Sequence, residues 1–109
     1  MAIVYKILAQ SNPSATTNTD IYTVAAQTQT VVSTLQICNM GSTAATYRIA
    51  IRKDGESINS KQYITYDSSV PANDAISLTI GITLTVNDVI TVYASSSTLS
   101  FNVFGSEIQ

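Results

Sequence analysis

The sequence predicts an all-β fold, a single antiparallel β-sandwich of about eight strands. Three observations predict it. Apolar residues recur at every second position over long stretches, the period of a strand with one buried face. The β-branched residues Val, Ile and Thr are abundant, and their stiff χ1 suits extended backbone. Turn signals recur at short, regular intervals, and no window carries sustained helical spacing with end caps.

Taken in order, the strands are expected at 3–9, 20–25, 30–39, 45–52, 62–67, 75–84, 88–95 and 99–105. The first ends at Asn12-Pro13-Ser14. The stretch 10–30 is rich in Thr, Ser, Asn and Gln, and it reads as a loop or docking arm around a short second strand. Asn39-Met40-Gly41-Ser42 separates the third strand from the fourth, in which Tyr47, Ile49 and Ile51 alternate with Arg48, Ala50 and Arg52. Lys53-Asp54-Gly55-Glu56 is a turn because Gly55 can take a positive φ. Pro71 blocks ladder pairing in the loop 68–74. The clearest alternation follows, with Ile76, Leu78, Ile80, Ile82 and Leu84 on one face and Ser77, Thr79, Gly81 and Thr83 on the other. Val86-Asn87-Asp88 and Ser95-Ser96-Ser97 are short turns, and Leu99, Phe101 and Val103 form the last apolar face. The tail Ser106-Glu107-Ile108-Gln109 is expected to fray or to bind a partner. Strands at this spacing make an immunoglobulin-like or jelly-roll-like sandwich over the whole of 1–109.

Composition bounds the function. The 109 residues are one domain by length, able to bury about two-thirds of the surface exposed when unfolded. Only 11% are charged, against about 25% in an average domain, so Ser, Thr and Asn must cover much of the surface. Such a surface desolvates more easily than a charged one and suits a protein packed against other subunits. Edge strands bearing Ser and Thr rather than Lys leave backbone donors open for added strands.

Several classes are disfavoured. Lys6, Arg48, Arg52, Lys53 and Lys61 are too few and too scattered to follow a row of phosphates, so no nucleic acid is expected. The opening run Ile3-Val4-Tyr5 is broken by Lys6, too short for a signal core or a membrane span, which makes a product of the cytoplasm the expectation. Cys38 is the single cysteine and reads as a small buried hydrophobe. Histidine is absent, which removes the commonest general base and metal ligand. The four glycines form no phosphate-binding pattern, and most of the seven carboxylates fall in turns that Asp stabilises. Asp54 and Glu56 are too few for a calcium loop. The chain is therefore expected to be no enzyme and to carry no cofactor or metal.

The tyrosines carry the binding signal. A tyrosine can bury its ring and keep its hydroxyl wet, which suits interfaces. Tyr63 and Tyr66, expected on opposite faces of a regular strand, together with Tyr22 and Arg52, are the candidate interface residues. The absence of Trp weakens a carbohydrate-binding reading, which would need exposed Tyr and Asn at one end of the fold.

Val31-Val32-Ser33-Thr34-Leu35-Gln36-Ile37-Cys38-Asn39, followed by Ala45-Thr46-Tyr47-Arg48-Ile49-Ala50-Ile51, resembles the central hairpin of small immunoglobulin-like domains in the virions of tailed bacteriophages. Pro71-Ala72-Asn73-Asp74, then Leu84 to Ala94 and Phe104-Gly105-Ser106-Glu107, is similar to their closing half, although the order Gly-Ser-Glu departs from the usual Gly-Glu ending. The resemblance spans about residues 20–107, and its motifs are structural. It implies a virion structural protein, a capsid decoration or cement protein on the assembled head shell. Tail, neck or baseplate accessory proteins are the alternative location. The partners implied are the major capsid protein or tail structural proteins and further copies of the chain, as a homo-oligomer. No catalytic residue carries over.

Overall fold

The computed structural model describes residues 2–109; Met1 lies outside them. The alternating segments pair into two antiparallel sheets. In chain order the strands are β1 (Ile3–Ser11), β2 (Thr19–Thr23), β3 (Gln29–Asn39), β4 (Ala45–Arg52), β5 (Tyr63–Val70), β6 (Asp74–Leu78), β7 (Ile82–Leu84), β8 (Val89–Ala94) and β9 (Leu99–Ile108). Two single 3-10 turns, Lys53–Gly55 and Ser60–Gln62, lie between β4 and β5. One sheet runs β1-β9-β3-β6, with β7 also on β3, and the other runs β2-β8-β4-β5. A five-strand and a four-strand layer interleaved in this order form a jelly roll. An immunoglobulin-like order would instead join the first, second, fourth and fifth strands in one sheet. Accordingly β3 and β4 are not a hairpin, because the link from 39 to 45 crosses from one sheet to the other.

The inner faces are the ones periodicity marks. Leu35, Ile37, Phe101 and Val103 of one sheet and Ile49, Ile90 and Val92 of the other are all essentially inaccessible to solvent. Each such side chain contributes roughly 1.5–3 kcal/mol by leaving water. Tyr47 meets Phe101 edge to face at 6.4 Å, an arrangement the ring quadrupoles favour. Inside this apolar layer Asn39 is fully buried, and every polar atom of its side chain is bonded. Its amide nitrogen donates to the carbonyls of Thr43, Val70 and Pro71. Its amide oxygen accepts from the Gly41 N–H and the Thr98 hydroxyl. One side chain thus ties the three connections 40–44, 70–74 and 95–98 together at one end of the sandwich.

Four expectations are corrected. The stretch 75–84 is two strands, not one: the chain breaks at 79–81, where Gly81 takes φ +64° and Ile80 is 55% exposed. Both halves pair with β3, at different ends. Residues 10–30 are built into the sandwich instead of forming an arm: β2 pairs with β8, Pro13 is buried, and Asn12 donates to the Ser97 and Leu99 carbonyls. The tail 106–108 is the end of β9, held between β1 and β3, because its backbone finds partners on both sides. Cys38 is only partly buried and not part of the core, since it alternates with buried Ile37 and Asn39.

β9 shows how a single residue type shapes the sheet. Opposite Phe104, both neighbours carry an extra residue, Leu8 in β1 and Ser33 in β3. These bulges bring the Val31 carbonyl so close to Gly105 that a Cβ there would stand 2.1 Å from its oxygen. Only glycine fits this approach.

Candidate docking face on the four-stranded sheet

The outward face of β4, β5 and β8 gathers the aromatic residues. Strand alternation that buries Tyr47 and Ile49 turns Arg48 outward, and the register sets Tyr93 of β8 directly opposite it. β5 would be expected to put Tyr63 and Tyr66 on opposite faces. It does not, because β5 spans Tyr63 to Thr65 while β4 spans only Ala50 to Ile49, which makes a bulge at Ile64. A second bulge follows between Thr65 and Ser68, where Asp67 takes φ +53°, a conformation that Asp tolerates better than most residues. The first bulge turns Tyr66 to the same side as Tyr63, and their rings meet edge to face at 4.9 Å.

Arg48 is the centre of this cluster. Its guanidinium carbon lies 4.2 Å from the Tyr66 ring centroid and 4.1 Å from that of Tyr93. Its Nε donates to Asp67 Oδ1 at 2.7 Å, and its Nη2 donates to Oδ2 at 3.4 Å. A planar cation between ring faces and a carboxylate is held in one orientation. Tyr66 remains 56% exposed, and Ile58 and Ile64 are exposed nearby. Ile58, Asn59, Ser60, Tyr63 and Tyr66 line an open groove of about 470 Å³ beside the cluster. Asn59 also caps the turn Ser60–Gln62, with its side chain bonded to the Lys61 N–H and the Gln62 side chain bonded back to the Asn59 N–H.

The sequence candidates divide. Tyr63 and Tyr66 stand together here. Arg52 lies on the same face, but its donors are taken within the chain: by Asp20, by the Gly55 and Glu56 carbonyls and, at 3.4 Å, by the Thr91 hydroxyl. It anchors the turn after β4. Tyr22 is elsewhere, half-buried between the sheets, where its hydroxyl bonds Glu107 at 2.5 Å and Thr30 at 2.7 Å. Arg48 and Tyr93 were missed as site residues. Their signal was available, since both occupy the outward parity of their strands.

Chemically, the cluster can stack and donate hydrogen bonds; the rings, one guanidinium and one carboxylate that already answers it supply no free base. Among the described residues no group of three or more Cys, Asp or Glu could hold a metal ion, and no helix is long and apolar enough to cross a membrane. Neither family models, nor curated proteins, nor solved structures give a match to the chain.

Proposed function

We propose that this chain is a non-catalytic docking module, a structural protein of a bacteriophage particle that decorates or cements the assembled head shell. The observation that carries the docking role is the pre-set cluster of Arg48, Tyr66 and Tyr93. Tyr and Arg dominate binding energy at interfaces, and side chains already fixed lose little freedom on contact. The virion setting draws on the sequence resemblance and on a sparsely charged surface suited to repeated subunit contacts. Jelly rolls serve both viral capsids and lectins, so the fold is compatible with the setting without selecting it. Many weak contacts repeated over a shell would sum to firm retention.

Counting this chain in purified particles tests the reading. Hundreds of copies are expected on a head shell. A dozen or fewer would move the protein to the tail, neck or baseplate, and absence from particles would remove both. Tyr66→Ala and Arg48→Ala are each expected to lower retention on particles at least about fivefold, as for an interface residue worth over about 1 kcal/mol. The groove beside Tyr63, with Asn59 and Ser60 on its wall, favours a second reading as a carbohydrate or host-surface binder. Binding of the isolated protein to a glycan array would support that reading over the first.

A further inference from the structure

β1 is an edge strand, and its first half is unguarded. Tyr5 is 83% exposed, and Ile3, Val4 and Ile7 are about half-exposed. The expected Ser and Thr edge is therefore replaced here by apolar residues. The backbone is equally open. Ala2 and Gln109 exchange both of their N–H···O bonds, at 3.0 and 2.9 Å. Because antiparallel pairs alternate, Val4 and Lys6 also turn their backbone groups to β9, and Ile3, Tyr5 and Ile7 turn theirs to solvent. The residues that offer free donors and acceptors are thus also those whose side chains form an apolar row, beside Phe104 and Val31 on the same sheet face. Lysine often protects an edge. Lys6 does not, because it is drawn 3.0 Å from Glu107. The other edges are less suited: β2 and β6 are five residues long, and β5 is bulged.

We infer that β1 is a self-pairing edge, through which two copies of this chain join antiparallel about a two-fold axis at Tyr5, fusing their β1-β9-β3-β6 sheets into one. The register follows from three constraints. Only odd residues can bond outward, all three of them should be used, and Lys6 must not face its own copy. A two-fold axis at Tyr5 meets all three. Ile3 then opposes Ile7 of the second copy, Tyr5 opposes Tyr5, and Val4 opposes Lys6. An axis at Lys6 would set two ammonium groups against each other, and an axis at Val4 would leave Ile7 unpaired. About six backbone hydrogen bonds form. Roughly 500 Å² per copy is covered, near the low end for a specific interface, so the dimer is a reversible one. It does not depend on the docking role of the opposite sheet.

Crosslinking of the full-length chain in a Cys38→Ser background tests the register. Cysteines at position 5 would lie about 5.5 Å apart between Cα atoms, within reach of a disulfide. Cysteines at position 3 would lie roughly 14 Å apart along the strands. Tyr5→Cys is therefore expected to give covalent dimer at least tenfold faster than Ile3→Cys, and Ile3→Cys with Ile7→Cys in one chain is expected to crosslink as well. Tyr5→Lys, on an exposed position that leaves the core intact, should shift the sedimentation midpoint for dimerisation at least tenfold upward. Equal crosslinking at positions 3 and 5 overturns the register. A monomeric mass for the unmutated chain up to millimolar concentration, with no crosslinking, overturns the pairing. Particle retention measured in parallel keeps such a failure separate from the docking reading.

Discussion

At the scale of single residues, the polar groups inside the sandwich are where substitution reports most. Asn39 has all its bonds to backbone or to Thr98, so Asn39→Ala leaves several buried partners unanswered. A loss of roughly 2–3 kcal/mol is expected in urea unfolding. The Tyr22–Glu107–Lys6 chain makes a pH-dependent contribution. Burial first, and then the bond to Glu107, push the Tyr22 phenol up to about 12. The donated bond from Tyr22, and after it Lys6, hold the Glu107 carboxyl below its ordinary value. A phenol that keeps its proton longer when folded stabilises below its unfolded value and loses that contribution as pH rises towards 12. A carboxyl with a lowered value stabilises above its unfolded value and loses that contribution as pH falls. Tyr22→Phe should therefore flatten the fall in stability between about pH 10 and pH 12 and weaken the acid-side dependence, read by thermal unfolding across pH.

At the scale of elements, bulges decide where side chains point. Gly105→Ala would drive a methyl group into the Val31 carbonyl between the two bulges. Backbone cannot yield as a flexible side chain can, so a loss of more than about 3 kcal/mol is expected, enough to see as reduced soluble yield and melting temperature. The β5 bulge at Ile64 sets Tyr63 and Tyr66 on one face. Regular strands such as β4 were legible to the residue, since 45–52 is both the expected and the observed span. The tyrosine pair was misjudged because an inserted residue inverts every parity beyond it, and nothing local in Tyr63-Ile64-Thr65 announces the insertion.

At the scale of the whole molecule, the chain's two ends meet in one sheet. β9 lies between β1 and β3 and supplies Leu99, Phe101 and Val103 to the core. The centre of that sheet is therefore completed by the last residues in sequence, a non-local topology that folds slowly for its size. Removing residues 99–109 should abolish the cooperative thermal transition. Removing residues 2–6 from the β1 edge should leave it in place, because most of the lost side chains are exposed.

The sequence by itself determined the all-β class, the position of most strands, the inner face of the regular ones and the poverty of acid–base chemistry. These follow from local facts, namely the period of two, β-branched side chains and the residues present. The sheet order, the jelly roll in place of an immunoglobulin-like arrangement, the break at Gly81 and the meeting of Arg48 with Tyr66 and Tyr93 were decided only in the tertiary structure. Each depends on which strand lies beside which, and at what register. Backbone hydrogen bonding is the same for any pair of strands, so that choice is made by the packing of the whole.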